Sequence, residues 1–232
     1  MIARIRNIAQ RKGYIIYKEP FKLNIWGVRS KNVEPNKFDD EFHVFFNTSK
    51  GRIAKWAYFV FKCTTDPGTY WLNNPMHSQG TAMLFPNQYV DTYKIARHRD
   101  KYYALTQRLN KVEVVRDYNR NSILDFYNGT IDRGMFGINI HRARKNGTTY
   151  EVDNYSAGCQ VFQKAEEFDF FMKLCEMHKR VHGNKFTYTL IDKRMEFRET
   201  IKRTALGFLS LGILSAGIWW LSEQEKKMEM TI

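Results

Sequence analysis

The residues with the clearest chemical potential lie in one stretch, residues 135–161, which contains a histidine, a serine and a cysteine. His141 ends an apolar alternating run of the kind that forms a buried strand. Cys159 follows Gly158 after a polar connection. A thiolate nucleophile needs a nearby base or cation to lower the pKa of its thiol, and a glycine lets other backbone come close. This pattern makes Cys159 a candidate nucleophile and His141 its candidate base.

The same two residues also have a simpler explanation. A single cysteine is more often a small core residue, and a single histidine is more often a packed and hydrogen-bonded one. The other two cysteines fit that description, because Cys63 lies in an apolar run and Cys175 on the apolar side of a helical pattern. Three cysteines, an odd number, argue against a disulfide framework. The sequence contains no CxxC or HExxH pattern, so we expect neither a metal site nor a cofactor.

The order of these residues resembles the catalytic stretch of the YkuD family, the L,D-transpeptidases of bacterial cell walls. The family signature is a His followed, after a connection, by Ser/Thr-His-Gly-Cys, and His141, Ser156, Gly158 and Cys159 match it. The resemblance implies that Cys159 accepts the acyl group of a peptidoglycan peptide and that His141 is its base. Backbone amides around Gly158 and Cys159 would hold the oxyanion, and Ser156 would support the site by a hydrogen bond.

Two positions depart from the family pattern. Ala157 stands where the family usually has His, and Val161 stands where it usually has an Arg associated with substrate positioning. Arg142 or Arg144 could supply that charge instead. The strings Asn-Ile-His-Arg and Ser-Ala-Gly-Cys-Gln-Val also resemble proteins of tailed bacteriophages, which suggests a phage-encoded protein.

Three other segments carry candidate binding residues. Residues 73–100 form a long connection, which predicts a lid or binding loop. Within this connection Arg97 and His98 could bind a carboxylate or phosphate. An exposed basic loop without a ligand is the commoner explanation. Residues 64–72 resemble the family segment Thr-Pro-x-Gly-x-Phe beside the substrate cleft, or form only a turn before a strand. Residues 117–133 are rich in Asp and Asn but lack the Gly and Glu spacing of an EF-hand, which predicts a polar loop.

The elements that position these residues are predominantly strands. Aromatic residues make up 15% of the 232-residue chain, a composition that favours β structure. We expect a mainly β fold, a sandwich or barrel-like arrangement, with one amphipathic helix over residues 162–181 after the cysteine. The predicted strands span residues 14–17, 21–28, 42–46, 56–63, 102–107, 112–115, 135–140 and 186–191. Of these, 42–46 and 56–63 are expected to form a hairpin, and 102–107 and 112–115 a strand pair. The predicted organisation is a basic N-terminal arm (1–12), a catalytic domain (13–192), a charged linker (193–204), a hydrophobic helix (205–221) and a polar tail (222–232).

The C-terminal segment predicts association with a membrane. Residues 205–221 carry no charge, contain three glycines and end in Trp219 and Trp220, a composition typical of a single transmembrane helix. A helix buried against a partner, through self-association or in a virion, is the alternative. Basic residues before the span place the domain on the cytoplasmic side, whereas wall chemistry requires the outside, so the sequence leaves the orientation open. The N-terminus lacks an apolar stretch of signal-peptide length, so we expect no cleaved leader.

The net charge of +13 suggests an acidic partner, either anionic lipid, an anionic wall polymer or nucleic acid. Because the basic residues are dispersed and no nucleic-acid motif is present, nucleic acid is the weakest of these three. Two hypotheses remain: a cysteine acyl-transfer enzyme, acting as a transferase or a hydrolase, and a non-catalytic docking or virion protein that retains the fold.

Overall fold

A computed structural model describes residues 2–32, 34–126 and 129–196 of the chain. In chain order these residues form α1 (Ile2–Lys12), β1 (Asn24–Arg29), β2 (Asp40–Asn47), β3 (Trp56–Thr64), α2 (Thr69–Asn73), β4 (Thr81–Leu84), β5 (Gln88–His98), β6 (Tyr102–Gln107), β7 (Val112–Asp117), β8 (Ile131–Gly134), β9 (Ile140–Arg142), a 3₁₀ turn (Asp153–Tyr155), β10 (Gln160–Phe162), α3 (Ala165–His182) and β11 (Phe186–Asp192). The expectation of a mainly β fold with one long helix is confirmed.

Eight of the described strands close a barrel in the order β1-β11-β5-β6-β9-β10-β3-β2. The longest register joins β2 and β3 as an antiparallel pair from Asp40↔Cys63 to Asn47↔Trp56, which confirms the hairpin expected from two aromatic runs. β9 and β10 instead run parallel. A parallel pair needs a long crossover rather than a tight turn, and the polar connection between His141 and Cys159 provides it.

A second sheet of three described strands has the order β4-β7-β8. Its existence corrects one prediction, because residues 102–107 and 112–115 are both strands but do not pair with each other. β6 pairs with β5 and β9 in the barrel, whereas β7 pairs with β4 and β8. The short connection between them carries the chain from one sheet to the other.

Three further predictions about local structure are wrong. Residues 14–17 are not a strand, and residues 135–139 are irregular before β9 begins at Ile140. Gly137 has φ +71°, a left-handed conformation that interrupts an extended run. The expected long loop at 73–100 contains β4 and the whole of β5, the longest described strand.

α3 covers the barrel with an aromatic and aliphatic face. Phe168, Phe171 and Cys175 are fully buried, as the helical period predicts, but Val181 is 58% exposed. The helix begins at Ala165 rather than at residue 162, because Phe162 belongs to β10 and packs against Phe42 with ring centroids 4.6 Å apart. Cys63 and Cys175 are both buried, as expected.

The N-terminal residues form a helix that packs against the barrel wall. Ile5, Ile8 and Ala9 of α1 are buried in one cluster with Trp26 of β1 and Phe45 of β2. The basic side chains of α1 therefore occupy its outer side, where Arg4 and Arg6 are exposed.

Asp192 begins a second compact unit, of which the structure describes residues 192–196. In it Arg194 donates hydrogen bonds to both carboxylate oxygens of Asp192. The predicted hydrophobic helix at 205–221 lies outside the described residues. Within the described ranges, no helix combines the length and the apolar character needed to span a bilayer.

Candidate functional site

The parallel strands β9 and β10 bring the two candidate catalytic residues to one face of the barrel wall. Their register pairs Gln160 with Ile140 and Val161 with His141, and the Gln160 N–H donates to the Asn139 carbonyl (2.9 Å). Extending the register by one residue sets Cys159 beside Asn139. Because side chains alternate across a strand, Cys159 and His141 share a face. The sequence predicted a strand at His141, although it misjudged where that strand begins.

The turn before Cys159 is held by its own hydrogen bonds. The Ser156 hydroxyl donates to the Cys159 carbonyl (2.8 Å) and accepts from the Gly158 N–H (3.2 Å). Gly158 has φ +110°, and a Cβ there would lie 2.0 Å from the Ala82 carbonyl of β4. Only glycine fits this close approach between the turn and the second sheet. The Cys159 N–H makes no hydrogen bond within the described part of the chain.

The Cys159 thiol rests between two backbone groups. The Asn139 N–H donates to Sγ (3.4 Å), and Sγ donates to the Gly137 carbonyl (3.6 Å). Burial raises the pKa of the Cys159 thiol, and the Asn139 hydrogen bond opposes that shift. No hydrogen bond joins Sγ to the His141 ring in the described residues. The geometry is therefore that of a neutral thiol at rest.

His141 is oriented by a backbone carbonyl. Its Nδ1 lies 2.8 Å from the Arg142 carbonyl oxygen, which can only accept, so Nδ1 carries the proton. Nε2 then holds the lone pair, and it bonds no residue in the described ranges. Burial, followed by the neighbouring His98, lowers the pKa of His141 to about 3. The ring is consequently a neutral imidazole with one basic nitrogen uncommitted.

His98 stacks on His141, with ring centroids 4.3 Å apart and planes 21° from parallel. The Asn139 side-chain amide donates to His98 Nδ1 (3.2 Å), an orientation set by the Gln107 N–H, which donates to Asn139 Oδ1 (2.9 Å). Burial, and then the charges of Arg99 and Lys101, lower the pKa of His98 to about 4. His98, predicted as a substrate-binding residue, therefore lies in contact with the candidate base.

Sequence reasoning did not single out Asn139 and Tyr102. Asn139 reaches Cys159 through its backbone and His98 through its side chain. The Tyr102 hydroxyl donates to the Arg142 carbonyl (3.2 Å), the same oxygen that orients His141. Asn139 lies two residues before His141, so its position on the shared strand face was available as a signal. Tyr102 is distant in sequence and gave no such signal.

The three arginines predicted to bind substrate differ in their surroundings. Arg142 pairs with Asp169 (2.9 Å) and stacks over the Tyr102 ring (4.6 Å). Arg97 donates to the Asp100 carbonyl and thereby closes its own turn. Arg144 is exposed in the connection after β9. Arg142 is the one of the three that follows His141 directly, on the edge of a surface groove.

That groove has a volume of 650 Å³ and runs between β6, β9 and α3. Its floor contains the rings of Tyr102 and Phe168, and its rim contains Lys173 and Arg180 beside Arg142. Asp169 and Glu176 are the acidic residues of the lining. Three cations against two carboxylates leave a positive balance, which suits a ligand with an anionic group and an apolar part.

The segment 65–72 contacts the cysteine turn. The Gly68 N–H donates to the Ser156 carbonyl (2.9 Å), and the Trp71 indole N–H donates to the Asn154 carbonyl (2.9 Å). Residues 69–73 form helix α2, so the alternative of a turn before a strand is wrong. The segment therefore lies beside the turn that carries Cys159.

Comparison with protein-family models, with curated proteins and with solved structures finds no match to this chain. Within the described residues, no three or more His, Cys, Asp and Glu side chains gather into a metal-binding group. The candidate site is therefore defined by its own geometry: a thiol, a neutral imidazole on the same face, and an N–H at the thiol-bearing residue.

Proposed function

We propose that the protein is a cysteine acyl-transfer enzyme in which Cys159 is the nucleophile and His141 the general base. The observation that carries the proposal is the hydrogen bond from His141 Nδ1 to the Arg142 carbonyl, on the strand beside Cys159. This bond fixes the tautomer in which Nε2 can accept a proton. By strand alternation, the His141 ring lies on the same face of the β9–β10 pair as the Cys159 side chain. Orientation of the base by a third group is the general feature of an activated nucleophile.

In the proposed reaction, His141 Nε2 takes the thiol proton as Sγ bonds to an amide carbonyl carbon. The Cys159 N–H donates to the oxyanion that forms. When the C–N bond breaks, His141 returns the proton to the leaving amine and Cys159 is left as a thioester. A second amine then accepts the acyl group in transpeptidation, or water accepts it in hydrolysis.

The pKa shifts of the two residues favour proton transfer during attack over a resting ion pair. Burial raises the pKa of Cys159 and lowers that of His141, so both are neutral near pH 7. Charge separation becomes favourable only when the substrate and the Cys159 N–H share the developing charge. The rate of Cys159 alkylation by a small neutral reagent should therefore be low at pH 7 and rise with pH.

Peptidoglycan peptides, the substrate class of the YkuD family that residues 135–161 resemble, are the proposed substrates. The groove lined by Arg142, the residue after His141, supports this class, because peptide carboxylates would meet Arg142, Lys173 and Arg180. Val161 is fully buried in β10, so its position offers no charge to the surface. Arg142 is the proposed replacement for the family's arginine. The finer fold class, a YkuD-like domain, belongs to the same proposal.

The alternative function is a non-catalytic docking protein that retains this fold, located at a membrane or in a virion. Ala157 and Val161 at two family motif positions, and the raised pKa of Cys159, favour it. Association with a membrane through residues 205–221 is compatible with either function. Removing residues 205–232 should release the protein from membranes and leave thiol reactivity unchanged if the domain is an enzyme.

The test is the pH dependence of iodoacetamide alkylation, followed residue by residue by mass spectrometry, in the wild type and in His141→Ala. Cys63 and Cys175, both fully buried, serve as internal controls. The proposal expects modification of Cys159 first, with a pH profile that changes in His141→Ala, and release of an amine from a peptidoglycan peptide by the wild type alone. Equal labelling of all three thiols, or an identical profile in the variant, would support the docking protein instead.

A further inference from the structure

The loop that follows β7, residues 117–125, repeats side-chain oxygens at alternate positions. It reads Asp-Tyr-Asn-Arg-Asn-Ser-Ile-Leu-Asp, with oxygens on Asp117, Asn119 and Asn121 and again on Asp125. An EF-hand calcium loop takes ligands from its first, third, fifth and ninth side chains and from the main-chain carbonyl of its seventh residue, which here is Ile123. The sequence alone predicted a polar loop, because serine stands at the sixth position where the EF-hand has glycine.

The backbone adopts the required turn without that glycine. Ser122, at the sixth position, has φ +61°. The Asn119 side-chain oxygen accepts from the Asn121 N–H (3.3 Å), and the Asn121 oxygen accepts from the Ile123 N–H (2.9 Å). Asp117 Oδ2 accepts from the Asp125 N–H (3.2 Å). These bonds fix the orientation of the three side chains, but by themselves they describe only an ordered polar turn.

The observation that points to a ligand is the other oxygen of Asp117. The residue is 1% exposed, and its Oδ1 is enclosed with no hydrogen-bond partner in the described ranges. A buried carboxylate oxygen without a donor is costly, and native structures rarely leave one. The Asn119 side chain meanwhile contacts the Asp125 carboxylate. Two carboxylates therefore lie on one loop, and one enclosed oxygen, Asp117 Oδ1, has no hydrogen-bond donor among the described residues.

We propose that the 117–125 loop binds a calcium ion through Asp117 Oδ1, the side-chain oxygens of Asn119, Asn121 and Asp125, and the Ile123 carbonyl. Carbonyl and carboxamide oxygens have two lone pairs, so those that accept an N–H can still coordinate a cation. Ca²⁺ accepts such mixed oxygen ligands in irregular geometry, whereas Mg²⁺ requires a near-ideal octahedron.

The ligand set predicts weak binding. The loop offers two carboxylates, and its twelfth residue in sequence is Asn128, outside the described residues, rather than the bidentate Glu of an EF-hand. Affinity in such loops rises with the number of charged ligands, so the dissociation constant should be about 10⁻⁴–10⁻³ M. The site would therefore fill only where Ca²⁺ is abundant, as outside cells.

Bound calcium would act on the candidate site through α2. Leu124 and Phe126 pack in one cluster with Leu72 of α2, and the Ser122 hydroxyl donates to the Asn73 side chain (2.9 Å). α2 in turn lies against the turn at 153–155, through the Trp71 bond to Asn154. An ion that orders the loop should therefore stabilise the domain.

The experiment titrates CaCl₂ into the full-length protein and follows the melting temperature, with MgCl₂ at the same ionic strength as the comparison. Terbium luminescence excited through Tyr118, the second loop residue, reports binding directly. Asp125→Asn should weaken binding at least tenfold, and Asn121→Asp, which adds a ligand charge, should tighten it about tenfold. Asp100→Asn, in the β5–β6 turn at φ +56°, is the matched control.

The proposal expects 10 mM CaCl₂ to raise the melting temperature of the wild type and Asp100→Asn by about 3–10 °C. The shift should be larger in Asn121→Asp and absent in Asp125→Asn, and MgCl₂ should produce less. The proposal is overturned if wild type and Asn121→Asp show no calcium-specific shift and no terbium signal, or if Asp125→Asn responds as the wild type does. Because these readouts do not involve Cys159, they are independent of the proposed enzymatic activity.

Discussion

The interior of this protein contains two polar clusters that differ in how completely their groups are bonded. Arg29, 1% exposed, donates to the Thr65 hydroxyl and carbonyl and to the Leu84 carbonyl, and it pairs with Asp66 (2.8 Å). Asp40 accepts from the Ser30 N–H and from both the N–H and the hydroxyl of Thr65.

The cluster around Cys159 and His141 is incompletely bonded, and within it His141 is buried whereas Cys159 is partly exposed. His141 Nε2 and the Cys159 N–H make no hydrogen bond in the described residues, although each neighbouring group is held in place. A cluster whose bonds are all made inside the protein stabilises one structure. A cluster that keeps one acceptor and one donor uncommitted can bond a reacting group. The contrast separates a structural role for Arg29 from the proposed catalytic role of His141.

The largest expected effect is on activity. Cys159→Ala or His141→Ala should lower the rate of acyl transfer from a peptidoglycan peptide by about 10³–10⁴-fold, because each removes a partner in a unit that acts together. The melting temperature should change less in Cys159→Ala, which removes one sulfur atom, than in His141→Ala, which also removes a buried ring that stacks on His98 and bonds the Arg142 carbonyl. Initial rates and thermal unfolding of the same preparations measure both. An active Cys159→Ala variant would end the proposed mechanism.

The second effect is on stability, and it should be largest in the fully bonded cluster around Arg29. Arg29→Ala leaves Asp66 and Asp40 buried without their cation, which should cost about 3–5 kcal/mol in the free energy of unfolding. Urea unfolding followed by tryptophan fluorescence measures it. Arg144→Ala, at an exposed arginine, is the control and should change stability by less than about 0.5 kcal/mol. Similar losses in both variants would contradict the structural role assigned to Arg29.

The third effect concerns the pH dependence of stability, which the two clusters drive in opposite directions. Burial, and then the charge of Asp66, raise the pKa of Asp40 to about 7. The contribution of Asp40 to the free energy of unfolding is therefore fully present below the ordinary pKa of 3.8 and is lost as pH rises toward 7. Asp40→Asn should reduce the decline between pH 5 and pH 7 by about 1–2 kcal/mol relative to the wild type. Urea midpoints at the two pH values measure it, and parallel declines would contradict it.

The histidines act in the other direction. The pKa values of His98 and His141, about 4 and about 3 in the folded protein, lie below the ordinary 6.5. Their contribution to the free energy of unfolding is therefore fully present above pH 6.5 and is lost as pH falls toward 3–4. The histidine contribution is the same in the wild type and in Asp40→Asn. The difference between their urea midpoints therefore reports the contribution of Asp40 alone.

The smallest effect tests the stacking of His98 on His141. His98→Phe keeps an aromatic ring against His141 and should retain activity within a few fold, whereas His98→Ala removes the support and should cost about tenfold. The two variants also differ in the pH dependence of Cys159 alkylation, which should change in His98→Ala. Equal activity in both would show that the stack does not position the base.

The sequence predicted the elements of the site better than their connections. His141 lies in a strand, as the alternating apolar run predicted, because strand alternation is a local property that a single chain displays. The pairing of β6 with β9, and of β7 with β4, depends on contacts between distant segments, and local apolar patterns do not specify them. Gly137 was expected inside a strand, since the sequence does not reveal that its φ is positive.

The remaining site residues escaped prediction for a related reason. Asn139 and Tyr102 are polar residues in mixed stretches, and their role appears only when β6 and β9 become neighbours. The proposed calcium loop is the opposite case, because the spacing of its side-chain oxygens was visible in sequence. The missing glycine and glutamate of an EF-hand favoured a polar loop, and the enclosed Asp117 oxygen is an observation that only the structure supplies.

Closure of the barrel has a consequence for how the chain folds. Hairpins such as β2–β3 and β5–β6 join nearby residues and can form early, but the barrel closes only when residues 24–29 meet residues 186–192. The parallel pair that carries His141 and Cys159 is also non-local. Refolding should therefore regain strand content before the two residues are juxtaposed, so that an intermediate with an accessible Cys159 thiol precedes the native state.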